Sequence, residues 1–254
     1  MSYISDYQTA QAHANTFEGM MNPHSVAVFQ SFLNFQRDQN IGGDMMEFGV
    51  YRGKSASVLL SNLNPGEKLH MVDVKDYPEL DKLSAISPAF TFTQGKSEDL
   101  FQDPGYLRSI PETTRFAHHD ASHSYLNVSS EMEAMAHRIA PGGLMVLDDF
   151  GNPSYMQVVA ACFTYLARQD SPLDLLLYSN NKAYLCRKAD FTMYSHFVLD
   201  TLLSEINSLD LPDCYLTRTE KSDGYRGFSL AVKAKPDQPD LYGMHIYGDR
   251  YYKV

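Results

Sequence analysis

The sequence predicts an α/β fold in which helices cover both faces of an open, mostly parallel sheet. Three observations lead to this prediction. Short apolar strands alternate with helical segments from Met45 onwards, a glycine turn joins the first strand to the following helix, and the alternation closes on a hairpin signal at Asn180 and Asn181. The chain has 254 residues, which suits one such domain with an elaboration.

The parts of the chain before and after this alternation have a different character. Residues 1–40 are expected to be helical, because Asn22 and Pro23 form a cap and first-turn pair followed by apolar residues at helical spacing. The core is expected over 41–189. Residues 190–254 are expected to form an α+β extension with a helix around 197–206, a strand over 228–233 and a tyrosine-rich tail. This extension could cover a site, extend the sheet or contact a second subunit.

The strands and helices of the core are marked by their boundaries. After the first strand, a helix is predicted over 55–63, ended by Asn64, Pro65 and Gly66. Further strands are predicted over 68–73, 90–94, 114–119 and 144–147, with a helix start at Ser97 and a helix reaching Ile139 before 141–143 stop it. The last helix opens at 152–153, and strands over 173–178 and 183–186 flank the hairpin signal.

Composition and charge exclude several classes of function. The net charge is −10 and the 21 Lys and Arg residues are scattered, which argues against nucleic-acid binding and favours a small-molecule substrate. No apolar run is long enough to span a bilayer, and the first residues do not form a signal peptide. Three widely spaced cysteines are too few for a disulfide framework. These observations predict a cytoplasmic protein without a membrane or nucleic-acid partner.

A glycine turn after the first strand predicts a nucleoside pocket. Gly49 and Gly53 lie between a strand and a helix, and Asp73 ends the next strand, where its carboxylate can accept ribose hydroxyls. Only three residues separate the glycines, so both the dinucleotide and the P-loop patterns fail. Glu47 would repel a phosphate and suits a ligand that carries an amine or a sulfonium. An ordinary strand–turn–helix of any α/β protein is the alternative.

Acidic and histidine residues follow the fourth and fifth predicted strands. Asp120 follows one strand, Asp148 and Asp149 close the other, and carboxyl ends of neighbouring parallel strands meet at one edge of a sheet. Three carboxylates at such short distances repel one another and require a cation between them. Oxygen ligands favour Mg²⁺, with Mn²⁺ or Ca²⁺ as substitutes. His123 is placed to act as a general base. The alternatives are helix caps for the acids and an ordinary loop histidine; His118 is interpreted as structural, with His119 as a second candidate.

Taken together, these motifs resemble the class I S-adenosylmethionine methyltransferases, and among them the metal-dependent natural-product enzymes. That group includes the macrocin and mycinamicin O-methyltransferases and cephalosporin-hydroxylase-like relatives, and the similarity covers roughly 45–187. The motifs are Glu-Phe-Gly-Val-Tyr-Arg-Gly-Lys-Ser at 47–55, Asp73, Gly-Lys-Ser at 95–97, Asp-Ala-Ser-His-Ser-Tyr at 120–125 and Pro-Gly-Gly-Leu-Met-Val-Leu-Asp-Asp-Phe at 141–150. Phe150 replaces a frequent tyrosine, and Lys96 replaces a more usual aspartate.

The resemblance implies a Rossmann-like, seven-stranded sheet and a role for each motif residue. S-adenosylmethionine is expected to be bound by Glu47, Gly49, Tyr51, Gly53, Ser55, Asp73 and Ser97. Mg²⁺ is expected on Asp120, Asp148 and Asp149, with His123 as the base that accepts the proton. The implied reaction is O-methylation of a small molecule, such as a secondary metabolite or a sugar-bearing natural product, by a homo-oligomer.

Three other functions are compatible with parts of this pattern. An N-methyltransferase on the same fold would methylate a small-molecule amine without a metal. A nicotinamide oxidoreductase would share the fold, although the missing Gly-x-Gly-x-x-Gly pattern disfavours it. A non-catalytic binding protein with a vestigial pocket is the third, and the clustered carboxylates argue against it.

Overall fold

A single mixed sheet organises the part of the chain that the computed structural model describes, residues 2–218 and 227–233. The strands are β1 (Asp44–Phe48), β2 (Leu69–Asp73), β3 (Phe90–Gln94), β4 (Thr114–His119), β5 (Ile139–Leu147), β6 (Leu173–Ser179), β7 (Lys182–Arg187), β8 (Cys214–Arg218) and β9 (Phe228–Val232). The helices are α1 (Tyr3–Asn15), α2 (Pro23–Asp38), α3 (Lys54–Leu60), α4 (Ser97–Leu100), α5 (Pro104–Ser109), α6 (Tyr125–Met135), α7 (Met156–Leu166), α8 (Phe191–Phe197) and α9 (Leu203–Asn207).

The strand order is β3-β2-β1-β4-β5-β7-β6-β9-β8. The first seven strands in this order form the predicted sheet, parallel except for β7, which runs antiparallel to both β5 and β6. Strand order reverses at β1 and β4, so the loops that follow these strands open a crevice at their carboxyl ends. The Rossmann-like α/β class predicted from sequence is therefore confirmed.

The described sheet has nine strands rather than seven. β9 pairs in parallel with β6, and β8 pairs antiparallel with β9 at the edge of the sheet. The strand predicted over 228–233 is present, whereas β8 was not predicted. The predicted tyrosine-rich tail lies outside the described residues.

Two apolar layers bury the faces of the sheet. On one face α2 supplies Phe29 and Phe32, whose rings pack against Tyr184 of β7 at centroid distances of 6.1 and 5.2 Å. On the other face α6 and α7 cover residues such as Met145 and Leu147 of β5. The cap predicted for α2 is present, because the Asn22 side chain accepts a hydrogen bond of 2.8 Å from the backbone of Ser25. The N-terminal helices thus complete the core.

Some element boundaries differ from the predicted ones. The helix predicted to reach Ile139 ends at Met135, and β5 begins at Ile139 and continues through the Pro-Gly-Gly segment. Gly142 has a φ of 76°, and the register with β4 shifts between Thr114 and Phe116, so this segment is a bulge in the strand. α5 and a 3-10 helix over Pro78–Ala85 were not predicted.

The predicted hairpin is confirmed. Asn180 and Asn181 have φ values of 48° and 67°, the left-handed pair that a two-residue hairpin turn requires. Cys162, Cys186 and Cys214 are buried and unpaired. Among the helices of the described ranges, we find none that combines the length and apolar character needed to cross a membrane.

Candidate functional site

The turn after β1 is held by the carboxylate that ends β2. Oδ2 of Asp73 accepts hydrogen bonds from the backbone amides of Val50 at 2.7 Å and Tyr51 at 2.8 Å, and Oδ1 accepts one from Lys75 at 3.1 Å. Gly49 has a φ of 79°, Tyr51 a φ of 48°, and Gly53 a φ of 92° where the chain enters α3. Asp73 therefore shapes the turn as well as facing the crevice.

Gly49 brings two loops into direct contact. A Cβ atom at this position would lie 2.1 Å from the carbonyl oxygen of Asp120 and 2.5 Å from Cα of Ala121, so no side chain fits. The backbone amide of Asp120 also donates a hydrogen bond of 2.7 Å to the carbonyl of Phe48. The turn after β1 and the acidic loop after β4 are thereby fixed against each other.

A cavity of about 380 Å³ opens beside this turn. Gly49, Tyr51, Asp73 and Ser97, all predicted to bind the methyl donor, line it. Sequence reasoning missed several further lining residues, which lie on segments that the fold brings to the same crevice: Tyr77, Lys96, Glu98 and Asn127. We refer to this space as the donor cavity.

Ser97 is fixed by a buried polar network behind the donor cavity. Its hydroxyl donates to Glu131 at 2.5 Å and accepts from Asn127 at 2.6 Å, and Glu131 also contacts Nδ1 of His119 at 2.5 Å. Although burial alone would lower the pKa of His119, the charge and hydrogen bond of Glu131 outweigh burial and raise it. His119 is thus held by its own carboxylate partner and does not line the donor cavity.

A second cavity, of about 570 Å³, lies on the other side of the Gly49 turn. It is lined by the predicted catalytic and metal residues His123, Asp120, Asp148 and Asp149, and also by Ser55. Its outer wall comes from the segment between α1 and α2 (residues 18–22) and from Tyr155. We refer to it as the acceptor cavity. Gly49, Tyr51 and Asp120 line both cavities, so the two spaces meet at the turn.

Within the acceptor cavity the acids and His123 form two contacts. Nε2 of His123 lies 3.1 Å from Oδ2 of Asp149 and 3.6 Å from Oδ1 of Asp120. The other oxygen of Asp149 accepts hydrogen bonds from the amides of Asn181 at 2.6 Å and Asn152 at 2.9 Å. Asp149 has a φ of 55°, so the chain turns sharply after β5. Asp149 is consequently oriented toward His123.

Asp120 and Asp148 converge with a different histidine. Ligand atoms of Asp120, Asp148 and His118 all lie within 4.8 Å of one another. Nδ1 of His118 contacts Oε1 of Glu47 at 2.9 Å, while its Nε2 is buried and has no hydrogen-bond partner among the described residues. His118, interpreted from sequence as structural, thus lies beside the two acids.

Glu47 does not reach the donor cavity. Its side chain is fully buried, and burial raises its pKa to about 8. Alternation along β1 explains this placement, because Glu47 points to the α2 face of the sheet whereas Phe48 lines the donor cavity. The role predicted for Glu47 beside the donor ammonium therefore has no support in its position.

Lys182 at the start of β7 supplies a positive charge to the acids, and sequence reasoning missed it. Its Nζ lies 2.5 Å from Oδ2 of Asp148, and its side chain is only 4% exposed. Burial alone would raise the pKa of Asp148, but the charge of Lys182 outweighs it and lowers that pKa. Burial raises the pKa of Asp120. The sequence feature that could have indicated Lys182 is its position directly after the two asparagines of the hairpin turn.

Comparison with known proteins gives one family-model match and several structural likenesses. Residues 46–150 match the family model described as a methyltransferase domain, and no curated protein matches the chain. The solved structures that it resembles include an O-methyltransferase from Bacillus cereus in complex with SAH. That likeness has a TM-score of 0.53 and 15% identity, over 74% of this chain and 91% of that one.

Two further solved structures have the same fold. A TDP-rhamnose 3′-O-methyltransferase of calicheamicin biosynthesis matches with a TM-score of 0.52 and 17% identity, over 73% of this chain and 94% of that one. The O-methyltransferase NovP matches with a TM-score of 0.52 and 14% identity, over 64% and 80%. At these identities the likeness to solved structures shows the fold alone. The family-model match assigns a methyltransferase domain to residues 46–150.

Proposed function

We propose that this enzyme is a metal-dependent O-methyltransferase that acts on a hydroxyl of a small molecule, such as a secondary metabolite or a sugar-bearing natural product. One observation carries the proposal: the donor cavity and the acceptor cavity meet at Gly49 and Asp120, and the acids and His123 line the acceptor side. Methyl transfer is an in-line displacement, so two adjoining cavities can hold the reactants at near-attack distance. Such positioning is worth roughly 7–11 kcal/mol of the barrier.

On the donor side, the ligand would be held mainly by the backbone of the Gly49 turn. Asp73 would accept a ribose hydroxyl on the lone pairs that the turn amides leave free, and Ser97 would lie near the adenine. Tyr51 and Tyr77 pack edge to face at 5.1 Å and would form an aromatic wall of the cavity. Gly53 and Ser55 would contribute by turning the chain into α3.

The residues at the carboxyl ends of β4 and β5 fit a divalent cation. Asp120 and Asp148 converge, and the unpartnered Nε2 of His118 is buried beside them. These two acids, with Asp149 next to them, would hold Mg²⁺ or a substitute such as Mn²⁺ or Ca²⁺. When bound, the cation would orient a substrate hydroxyl and lower its pKa.

His123 would accept the proton released by the attacking hydroxyl. It lies in the acceptor cavity, its ring packs on Tyr155 at 4.4 Å, and Asp149 approaches its Nε2. A packed ring and a neighbouring carboxylate fix the orientation of an imidazole, which a general base requires.

The acceptor cavity also suggests what the acceptor looks like. Side-chain amides of Asn22, Asn152, Asn180 and Asn181 and the exposed thioether of Met20 line it. Amides can donate to and accept from hydroxyl groups, while the methionine and Tyr155 offer apolar contact. This mixture suits a polyhydroxylated molecule with an apolar part.

An amine acceptor is the second candidate, and Lys182 favours it. Because this ammonium already offsets the charge of Asp148, the acidic residues are tolerable without a metal. An N-methyltransferase would then use the acids to bind the substrate amine.

Calorimetric titration with S-adenosylmethionine, with and without Mg²⁺, tests donor and cation together. We expect donor binding in both conditions, separate heat of metal binding, and turnover that is lost in chelator and restored by Mg²⁺. Full turnover in excess chelator, with an N-methylated product identified by mass spectrometry, would instead support the amine acceptor. Absence of donor binding would contradict both.

Two properties of the whole protein complete the proposal. Buried, unpaired thiols accord with a reducing compartment, so we propose a cytoplasmic location. We also propose a homo-oligomer, which light scattering on the purified protein tests directly.

A further inference from the structure

We propose that Lys182 competes with the divalent cation for Asp148, so that the lysine ammonium holds the acidic residues together only while the metal is absent. This inference rests on the proposed metal site. The inference goes beyond that site because it assigns a role to Lys182, which is not one of the predicted metal ligands. The role concerns metal affinity and not the chemical step.

Both oxygens of Asp148 already have a donor. Oδ1 accepts a hydrogen bond of 2.8 Å from the backbone amide of Asp149, and Oδ2 lies 2.5 Å from Nζ of Lys182. The amide belongs to the backbone of the turn after β5 and cannot leave without moving the turn. The ammonium is at the end of a flexible side chain. A metal that binds Asp148 therefore displaces the lysine and keeps the amide.

The position of Lys182 in the sheet fixes its contact with Asp148. Leu147 pairs with Ala183 in the β5–β7 ladder, so Asp148 and Lys182 face each other at the next position toward the crevice. The hairpin turn at Asn180 and Asn181 fixes that register. The lysine stem is buried, and its Nζ lies 6.0 Å from the ring centroid of Phe29. The ammonium consequently points along the sheet edge toward the acids.

Electrostatics make joint occupancy unfavourable. An ammonium and a doubly charged ion on one carboxylate would lie a few ångströms apart in a partly buried site, where like charges repel strongly. The lysine has another acceptor on the same face of the sheet. Oε2 of Glu47 is buried without a hydrogen-bond partner among residues 2–218 and 227–233, and the charge of Lys182 acts on Glu47. A displaced ammonium can turn toward it.

Manganese binding by Lys182→Met protein tests the proposal. Free Mn²⁺ is measured by electron paramagnetic resonance during titration of the metal-free protein, so that no turnover is required. We expect the variant to bind Mn²⁺ on the order of tenfold or more tightly than the parental enzyme, because the competing charge is gone. Lys182→Gln, which keeps a donor for Asp148 without the charge, should behave in the same way.

Lys54→Met is the matched control. Lys54 also lines the acceptor cavity, but its Nζ approaches the carbonyl of Gly19 at 3.4 Å and makes no ion pair with the acids among the described residues. Its replacement should leave manganese affinity within about twofold of the parental value.

Thermal unfolding provides a second readout. In chelator, Lys182→Met should unfold at a lower temperature than the parental enzyme, since Asp120 and Asp148 lose their cation. Saturating Mn²⁺ should raise the unfolding temperature of the variant by more than it raises that of the parent.

The outcomes separate this inference from the proposed function. Equal manganese affinity in the parent and both Lys182 variants would overturn the competition and leave the metal site intact. Weaker binding would show that Lys182 positions Asp148, which also overturns it. If no protein binds Mn²⁺, the metal site itself is wrong, while donor binding still tests the methyltransferase assignment.

Discussion

Gly49 illustrates how much of this site depends on single residues. Its missing side chain lets the backbone of Asp120 approach, and its φ of 79° aims the turn at Asp73. Both requirements were readable from the sequence as a glycine between a strand and a helix. The partner of the close approach was not readable, because Asp120 is 71 residues away and reaches Gly49 only through the β1–β4 pairing.

We expect Gly49→Ala to lower the affinity for S-adenosylhomocysteine by tenfold or more and to destabilise the fold. The added Cβ would overlap the carbonyl of Asp120, a backbone group that cannot move aside. Gly66→Ala is the control, since Gly66 has a comparable φ of 90° but nothing within 4 Å of an added Cβ. The control should lose only about 1–2 kcal/mol from left-handed strain. Calorimetry and urea unfolding measure the two effects; equal losses in both variants would contradict the steric account.

His123→Ala should lower kcat by roughly 10²–10⁴-fold while donor affinity is retained, because a general base contributes about that factor. The residue lines the acceptor cavity and not the donor cavity. His196→Ala is the control, since that side chain is 74% exposed on α8. Steady-state rates together with donor titrations check the prediction. A parental rate in the His123 variant would show that His123 is not the general base.

Residue types were easier to predict than residue neighbours. Asp120, Asp148, Asp149 and His123 were identified because their spacing after two strands is visible in the chain, and the structure brings all four to one cavity. The orientation of Glu47 and the approach of Lys182 to the acids depend on how the strands pair and on which face of the sheet each side chain points to. Lys182 reaches the acids because β7 is inserted between β5 and β6, an arrangement that sequence spacing does not encode.

At the scale of elements, β5 shows where local signals are overridden. The Pro-Gly-Gly segment at 141–143 is a strong stop signal, yet Ile139 already pairs with Thr114 of β4. The bulge is held from outside the sheet, because the Gly142 amide donates to Asp190 at 2.7 Å and the Tyr194 hydroxyl donates to the Gly142 carbonyl. Local signals predicted a helix as far as Ile139 and a stop at 141–143, whereas pairing with β4 and tertiary hydrogen bonds make this segment part of a strand.

A buried ion pair joins three elements at the opposite end of the sheet from the site. Arg115 of β4 is fully buried, makes hydrogen bonds of 2.8–3.0 Å to the carboxylate of Glu67 before β2, and donates to Gln36 of α2 at 3.0 Å. Burial alone would raise the pKa of Glu67, but the hydrogen bonds and charge of Arg115 outweigh burial and lower it.

We expect Glu67→Gln to reduce the free energy of unfolding at pH 7 by roughly 3 kcal/mol, because it leaves a buried guanidinium without its counter-charge. The folded pKa of Glu67 lies below its ordinary value of 4.5, so this stabilisation is present above that value. It is lost as pH falls through the folded pKa, and the difference between variant and parent should shrink there. Urea unfolding from pH 7 to pH 3 checks this.

Asp170→Asn is the control for that series. Asp170 pairs with Arg168 at 2.9 Å on the surface, where both side chains are well exposed. Its replacement should leave the free energy of unfolding close to the parental value across this pH range, because water and salt screen an exposed ion pair. A loss as large as that of Glu67→Gln would indicate that burial is not the cause.

For the molecule as a whole, ligand binding should be visible as stabilisation. S-adenosylhomocysteine at a hundredfold excess over its dissociation constant adds about 2.7 kcal/mol to the folded state. For a chain of this size we expect a rise in Tm of roughly 5–10 °C. The dinucleotide NAD should leave Tm unchanged, since the Gly49 turn lacks the dinucleotide pattern. A rise with NAD and none with S-adenosylhomocysteine would favour the oxidoreductase.

The fold class was predictable because alternation, glycine turn and hairpin each leave a local signal, and Rossmann-like sheets follow from their order. The strand over 228–233 was predicted as a strand, but its pairing with β6 was not readable from the sequence, and β8 was not predicted because its residues show no clear alternation. The N-terminal helices were predicted as helices. Their contribution of a wall to the acceptor cavity required the tertiary structure.

The two cavities meet at the backbone of the Gly49 turn, and this has a consequence for how substitutions can change one cavity without the other. A change at Gly49 or Asp120 would alter the lining of both cavities at once. The segment at 18–22 touches only the acceptor space, and Tyr77 and Ser97 touch only the donor space. Under the proposed function, remodelling of this short connection between α1 and α2 would change the acceptor cavity and leave the donor cavity unchanged.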